Sequence, residues 1–362
     1  MTRSPIHLHD HESAAQAVLD KPTWAYFSGA AADGQTHARN LQAWQRWGLR
    51  PRVLRPLRDG HTQCHLLGQT WPTPLLVAPM AMQGWAHPDG EIGTAMAAAA
   101  QGCGMVLSHQ SSTPLQTVAD KVVREPGRGP LWFQLYWQSQ RHLTLDLLQS
   151  AQAAGYEAVV LTVDAPVQGV RDQERRHGLP TSALRSAHWT ASAVTDGRGL
   201  CAGLANLAPQ WDDVQWLIAH SPLPVLLKGV THPQDAQQAM ACGAAGLIVS
   251  NHGGRVLDGQ AATAETLLAV VQAVRSLGSD APVLVDGGLR RGTDLFKALA
   301  LGASAALIGR PVVYGLAHAG AQGAAHVLRL MRDEFESAMT LCGCRTPQDI
   351  GLDHLQALPE LS

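Results

Sequence analysis

Residues 282–309 read Pro282-Val-Leu-Val-Asp-Gly-Gly-Leu-Arg-Arg-Gly-Thr-Asp-Leu-Phe-Lys-Ala-Leu-Ala-Leu-Gly-Ala-Ser-Ala-Ala-Leu-Ile-Gly309. A short apolar run, a helix-forming segment over Gly292–Leu301 and a second short apolar run follow one another here. Apolar runs without alternation are typical of strands that are buried on both faces, and glycine favours the left-handed residue that ends a helix. The stretch therefore predicts a strand, a helix and a parallel strand.

The same pattern extends back to Leu75 and gives eight apolar runs. The runs are Leu75–Met80, Gly104–Ser108, Leu131–Tyr136, Ala158–Asp164, Pro224–Gly229, Gly246–Asn251, Pro282–Gly287 and Ala305–Gly309. The helical segments between them are Glu91–Ala100, Arg141–Ala154, Trp211–Ala219, Gln234–Cys242, Ala264–Leu277 and Gly292–Leu301. A doubly wound sheet also alternates strands and helices, but eight similar units are typical of a TIM (β/α)8 barrel, so we predict this α/β fold.

Two further segments complete the predicted organisation. Residues 1–70 are expected to form a helical segment, ending in the polar stretch Arg50–Thr70, that packs on a barrel of residues 71–362. The connection Arg171–Leu207 after the fourth strand is long and polar, as expected of a lid or binding loop. Alternating histidines at positions 7, 9 and 11 fit a frayed polar terminus better than a metal site, and we expect no bound metal.

Composition excludes several classes of function. The 362 residues are 46% hydrophobic and 15% charged, which is enough apolar material for a large core, and the formal net charge is −2. A charge this close to zero gives no support to a nucleic-acid or polybasic membrane role. No apolar run approaches the about 20 residues of a bilayer span, and the N-terminus lacks the apolar region of a secretory signal. With six scattered cysteines, we expect a cytoplasmic protein with reduced thiols.

Polar side chains lie at the carboxyl end of almost every predicted strand, where TIM barrels place their catalytic and binding residues. The most specific stretch is Ser250-Asn-His-Gly-Gly-Arg255. His252 can act as a base near neutral pH, and Arg255 can bind a carboxylate through two parallel hydrogen bonds. Asp164, at another strand end, can orient the imidazole and stabilise its protonated form.

Glycines in the last two units indicate a phosphate site. Asp286-Gly-Gly288 opens one helix and Ile308-Gly-Arg-Pro311 follows the next strand. Glycines allow backbone N–H groups to approach an anion, and barrels often bind phosphate after strands seven and eight.

Together these residues resemble the FMN-dependent 2-hydroxy-acid oxidase and dehydrogenase family, which includes glycolate oxidase, lactate oxidase and mandelate dehydrogenase. The similarity extends from about Pro22 to Arg345. Its motifs are Trp24–Gly29, Ala78–Gln83, Phe133–Tyr136, Leu161–Pro166, Leu227–Gly229, Ser250–Asp258, Asp286–Ala300 and Ile308–Val312. The resemblance implies FMN as cofactor, oxidation of an (S)-2-hydroxy acid to the 2-oxo acid, reoxidation by O2 with release of H2O2, and a homotetramer.

The resemblance also implies roles for individual residues. His252 matches the family's base and Asp164 its partner, and Tyr136 is grouped with them as catalytic. The positions that match substrate contacts are Tyr26, Tyr136, Arg171 and Arg255. The positions that match flavin-ring contacts are Ala81, Ser108, Gln134, Thr162 and Lys228. The positions that match ribityl and phosphate contacts are Ser250, Asp286, Gly288, Arg290, Gly309 and Arg310.

Three positions depart from common family residues, namely Val256, Gln110 and Trp85, and these departures leave the substrate's size open. Other readings also stay open from the sequence. One is a dehydrogenase that passes electrons to a quinone or cytochrome. Others are an FMN-barrel isomerase, a protein like IMP dehydrogenase, and a flavin- or phosphate-binding barrel without catalysis.

Overall fold

A closed barrel of eight parallel strands lies at the centre of the structure, a computed structural model that describes residues 5–138, 140–188 and 208–359. The described strands are β1 (Trp47–Leu49), β2 (Cys64–Leu66), β3 (Gln69–Trp71), β4 (Leu75–Val77), β5 (Gly104–Leu107), β6 (Leu131–Leu135), β7 (Ala158–Thr162), β8 (Val225–Lys228), β9 (Gly246–Val249), β10 (Val283–Val285), β11 (Ala305–Ile308) and β12 (Leu355–Ala357). Strands β4 to β11 pair in chain order, and β11 closes the barrel by pairing with β4. The predicted TIM barrel is confirmed, with each of its strands inside the predicted run.

Helices surround this barrel. They are α1 (Leu8–Val18), α2 (Lys21–Ser28), α3 (Gln35–Ala43), α4 (Gly90–Ala100), α5 (Leu115–Val122), α6 (Arg141–Ala153), α7 (Asp172–His177), α8 (Trp211–His220), α9 (Pro233–Ala241), α10 (Thr263–Arg275), α11 (Gly292–Ala300) and α12 (Arg310–Cys342). The last of these is interrupted at Ala319 and Gly320, whose backbone angles are not helical.

Alternate residues of each barrel strand belong to two different apolar cores. Leu75 and Val77 pack outward against the helices, whereas Leu76 packs with residues of the other strands inside the barrel. Since both faces are buried, both sets must be apolar, which explains the continuous apolar runs. The hairpin β2–β3 closes one end of this inner core, because Trp71 packs edge-on against Trp132 at 5.2 Å between ring centroids.

The N-terminal residues are held to the barrel by contacts that the sequence pattern did not indicate. Strand β1 pairs antiparallel with β12 near the other end of the chain. His11, on α1, is buried and contacts His318 and His326 of α12 through its two ring nitrogens. The expectation of a frayed terminus is therefore wrong for His9 and His11, which lie in α1, a helix that this buried histidine anchors. The division into residues 1–70 and 71–362 stays a prediction.

The connection after β7 is described only in part. It contains α7, and residues 189–207 of the predicted lid Arg171–Leu207 lie outside the described residues.

Candidate active site

One cavity lies at the carboxyl ends of the barrel strands and contains most of the predicted site residues. Those that line it are Tyr26, Ala81, Ser108, Gln134, Tyr136, Thr162, Arg171, Lys228, His252, Arg255, Asp286, Gly288, Arg290, Gly309 and Arg310. Asp164 and Ser250 lie behind this wall, where each bonds to His252. The residues that sequence reasoning grouped as one site are thus brought together around a single space.

His252 is held in place from two sides. Its Nδ1 lies 3.0 Å from Asp164 Oδ1, and its backbone N–H donates to Ser250 Oγ at 3.1 Å. Burial opposes the charged form of Asp164, but the neighbouring His252 and its hydrogen bond hold the pKa of that carboxyl below its usual value. An ionised Asp164 accepts from Nδ1–H, so Nε2 is the ring nitrogen that can exchange a proton with a ligand. Gly229 makes this pairing possible, because a Cβ there would lie 2.5 Å from Asp164 Cβ.

Lys228 lines the cavity together with its acidic partner Asp286. Its Nζ lies 3.1 Å from Asp286 Oδ2 and donates to Ser250 Oγ at 2.8 Å. Burial favours the neutral amine, yet the charges of Asp286 and Asp164 raise the pKa of Lys228 above its ordinary value. The ammonium group is therefore a fixed positive charge in a buried place.

Several polar atoms in the cavity wall have no partner among the described residues, which fits a polar ring system bound there. Gln134 Nε2 and Asp286 Oδ1 are buried and unbonded in this part of the chain. The other end of the Gln134 amide is fixed, since its Oε1 accepts from Ser108 Oγ at 3.3 Å and from the His109 N–H at 3.2 Å. Because buried polar groups cost free energy unless paired, these atoms favour a ligand with donors and acceptors along its edge.

The phosphate end of the cavity has the charge and backbone shape that an anion needs. Arg310 is buried and Arg290 is largely enclosed by the protein, and neither forms an ion pair within the ranges described. Burial lowers the pKa of Arg310 to about 9, and the nearby Arg255 adds to this effect. Two enclosed cations without a carboxylate partner favour a bound dianion. Gly288 is required there, because its φ is 82° and a Cβ would lie 1.9 Å from the Asn40 carbonyl oxygen.

The Arg310 side chain also forms hydrogen bonds within the protein. Its guanidinium donates to the carbonyl oxygens of Phe27, Gly29 and Gly253. Arg310 thus ties α2 and the loop after β9 to the end of β11, in addition to lining the cavity.

The opposite side of the cavity carries two arginines and two tyrosines. The Arg255 guanidinium lies 5.5 Å from the ring centroid of Tyr26 and donates to the Gly29 carbonyl at 2.8 Å. Burial raises the pKa of Tyr26 and of Tyr136, so both are neutral phenols at physiological pH. Trp85 packs edge-on against Tyr26 at 4.9 Å.

Two buried carboxylates near this cavity were not predicted. Glu174 contacts both Arg171 and Arg255, and Glu91 accepts hydrogen bonds from the loops after β4 and β5. Glu174 follows Arg171 by three residues, and residues at this spacing are neighbours on a helix. This spacing is the local sequence signal for the Glu174–Arg171 contact.

Comparisons with known proteins agree with this geometry. A model of the FMN-dependent dehydrogenase family matches residues 15–357. The chain is 46% identical to an L-lactate oxidase of Roseobacter sp. (strain GAI101), over 97% of this chain and 95% of that protein. It is 39% identical to glycolate oxidase of Spinacia oleracea, over 97% of this chain and 95% of that protein.

Solved structures show the same fold. A crystal structure of mandelate oxidase with (S)-2-phenylpropionate superposes with a TM-score of 0.88 at 36% identity, covering 99% of this chain and all of that one. Within the described part of the chain, no helix has the length and apolar character needed to cross a membrane. Since the family model covers most of the chain and these relatives align almost end to end, the chain belongs to the FMN-dependent dehydrogenase family.

Proposed function

We propose that this protein is an FMN-dependent oxidase that converts a short (S)-2-hydroxy acid into the 2-oxo acid and passes the electrons to O2, forming H2O2. The observation that carries the proposal is the His252–Asp164 pair, in which His252 faces the same cavity as Arg171 and Arg255 and Asp164 lies behind it. This arrangement places a base beside two carboxylate-binding groups, as oxidation of a 2-hydroxy acid requires.

FMN, when bound, accepts the two electrons that leave the substrate. We propose that its ring is held by Ala81, Ser108, Gln134, Thr162 and Lys228. Its ribityl chain and phosphate would contact Ser250, Asp286, Gly288, Arg290, Gly309 and Arg310. The unbonded Gln134 Nε2 and the enclosed Arg290 and Arg310 support this orientation.

The chain's own residues then act on the substrate. Arg171 and Arg255 bind the carboxylate, while the neutral phenols of Tyr26 and Tyr136 donate hydrogen bonds to it and to the hydroxyl oxygen. His252 Nε2 accepts the hydroxyl proton, and the ionised Asp164 stabilises the imidazolium that forms. The substrate loses two electrons and two protons in total, and O2 takes up the same number to become H2O2.

The substrate class rests on the relatives. The L-lactate oxidase and the glycolate oxidase named above act on small aliphatic hydroxy acids by their names. We therefore propose a short aliphatic substrate. A cytoplasmic location and a homotetrameric assembly are part of the same proposal.

Anaerobic mixing tests this function directly. The yellow protein should lose its flavin absorbance with (S)-lactate or glycolate, faster than with mandelate, and not with (R)-lactate. Retention of the colour with every 2-hydroxy acid would instead favour a binding protein without catalysis.

The electron acceptor is tested separately. Reduced enzyme in air-saturated buffer should become yellow again within seconds and yield one H2O2 per 2-oxo acid. A flavin that stays reduced for minutes in air, but is oxidised quickly by dichlorophenolindophenol, would identify a dehydrogenase.

A further inference from the structure

A buried carboxylate joins the two arginines of the cavity. Glu174 Oε1 lies 3.1 Å from Arg171 Nη1 and 3.1 Å from Arg255 Nη2. The Glu174 side chain is only 7% exposed, and it is the third residue of α7. One carboxylate oxygen therefore holds two guanidinium groups from separate parts of the chain in a single arrangement.

The charges in this cluster do not cancel. Arg255 is enclosed by protein, and after burial the largest cause that lowers its pKa is the like charge of Arg171. Glu174 and Tyr26 act in the opposite direction. Two cations and one anion leave a net charge of +1, which equals the charge needed to bind one carboxylate.

Glu174 lies behind the arginines and not in the space where a ligand would bind. Among the described residues that line the cavity, Arg171 and Arg255 are present and Glu174 is absent. Arg171 also has a donor that could bind a ligand, because its Nε is buried and has no partner in the described part of the chain. A ligand carboxylate can thus bind the arginines while Glu174 keeps its contacts.

We propose that Glu174 is a positioning and specificity-determining residue that aligns Arg171 with Arg255 and lowers the charge of their site to +1, so that the site favours monocarboxylates over dicarboxylates. The inference rests on the proposed function, since it assumes that the two arginines bind the substrate carboxylate. The lower charge would also favour release of the product, because a site of charge +2 would bind the 2-oxo acid more tightly.

The variant Glu174→Gln separates charge from shape, because the amide oxygen can still accept from both arginines. The probes are propanoate and malonate, which have three carbons each, carry one and two carboxylates, and lack the oxidisable hydroxyl. Their dissociation constants are measured on the FMN-loaded enzyme from the change in the flavin absorbance spectrum. We expect propanoate to bind at least about threefold more tightly to the variant, and malonate to gain more than propanoate.

Two further variants make the result specific. Asp172→Asn removes the same charge from the same helix, but Asp172 is 39% exposed and its partner is Arg175 at 3.7 Å; both dissociation constants should stay within about twofold of wild type, because solvent screens this pair. Glu174→Asp retains the charge and should preserve the wild-type ratio of the two constants.

Propanoate binding that is unchanged or weaker in Glu174→Gln would overturn the inference, as would a Glu174→Asp variant whose selectivity shifts toward malonate. The proposed function is judged by a different measurement, the reduction of wild-type flavin by (S)-2-hydroxy acids. Normal reduction together with unaltered anion selectivity would reject the role of Glu174 alone.

Discussion

At the scale of single residues, the pairing of His252 with Asp164 fixes which ring nitrogen can accept a proton. The 3.0 Å contact uses Nδ1, and the main chain of His252 adopts a left-handed conformation with φ of 57° to make it. Such a conformation is uncommon for a residue other than glycine and persists where surrounding contacts hold it. The contacts here are the bond to Asp164 and the Ser250 hydroxyl.

Replacing this base should stop the chemistry without emptying the flavin site. His252→Gln should bind FMN but lose about two or more decades in the rate of flavin reduction, the usual effect of removing an acid–base group. Asp164→Asn should be milder, because His252 remains as the base although it loses the carboxylate that orients it and stabilises its imidazolium. Stopped-flow reduction measures both, with the exposed His61→Gln as control. Near-normal reduction in His252→Gln would refute its role as the base.

Arg255 should not tolerate lysine, although the charge is kept. Its guanidinium contacts Glu174, the Gly29 carbonyl and the face of Tyr26 at once, which a lysine ammonium cannot reproduce. Arg255→Lys should raise KM and lower the reduction rate, each by about tenfold or more. Arg185→Lys, at an exposed arginine, serves as the control. Equal activity toward a 2-hydroxy acid and its methyl ester would contradict the assignment.

At the scale of elements, Glu91 of α4 fastens two loops of the site face. Its fully buried carboxylate accepts from the Gln83 N–H at 2.9 Å, from the Ser112 N–H and hydroxyl at 2.8 and 2.7 Å, and from the Thr113 hydroxyl at 2.9 Å. These loops follow β4 and β5, where Ala81 and Ser108 line the cavity. Glu91 of α4 therefore connects the two loops that contain Ala81 and Ser108.

The Glu91→Gln variant tests this contact. An amide turns an NH2 group toward donors and leaves at least one of them unpaired, so we expect the free energy of unfolding to fall by about 3 kcal/mol. Chemical denaturation measures the loss, and Glu125→Gln at an exposed position is the matched control. Equal denaturation midpoints for Glu91→Gln and the control would contradict the prediction.

The histidine cluster between α1 and α12 should make the protein sensitive to acid. His11 Nδ1 lies 2.8 Å from His318 Nε2, and its Nε2 lies 3.0 Å from His326 Nδ1. Burial, followed by these two imidazoles, lowers the pKa of His11 to about 4, and Asp10 opposes the shift only weakly. The unfolded chain binds this proton near pH 6.5 and the folded chain only near pH 4. Folding stability from the neutral His11 is therefore complete above pH 6.5 and is lost as the pH falls toward 4.

His11→Gln should accordingly flatten the dependence of Tm on pH between 6.5 and 4, even if Tm at pH 7.5 is lower than in wild type. His9→Gln, on the same helix with a side chain that is 75% exposed, should keep the wild-type slope. Parallel curves for wild type and His11→Gln would show that His11 does not titrate in this range.

At the scale of the whole molecule, the proposed tetramer needs a surface through which copies of the chain associate. Leu54 is fully exposed and Leu341 is 71% exposed. The backbone N–H of Arg52 donates to the Cys342 carbonyl oxygen at 3.3 Å, so the segments that carry the two leucines are adjacent. Exposed apolar residues on adjacent segments are candidates for a protein–protein interface.

We expect the wild-type protein to elute as a tetramer and Leu54→Asp to form smaller species. Aspartate tolerates the left-handed backbone at this position, where φ is 59°, so the monomer should keep its fold. Leu277→Asp, at a residue that is 51% exposed after α10, is the control. Light scattering gives the mass, and a Leu54→Asp tetramer would place the interface elsewhere.

The sequence by itself determined the barrel and most of the site. Each strand is buried on both faces, so its continuous apolar run is visible without knowledge of any neighbour. The residues at the ends of those runs must then meet at one end of the barrel, which is why His252 and Lys228 could be assigned to one site from sequence alone.

Only the tertiary structure decided which partners these residues have. Glu174 meets Arg255 across 81 positions of the chain, and His11 meets His326 across 315. The pairing of β1 with β12 is equally distant. No periodic pattern records such contacts, because a buried charge or imidazole needs one specific neighbour in space, whereas burial of a strand needs only apolar surroundings.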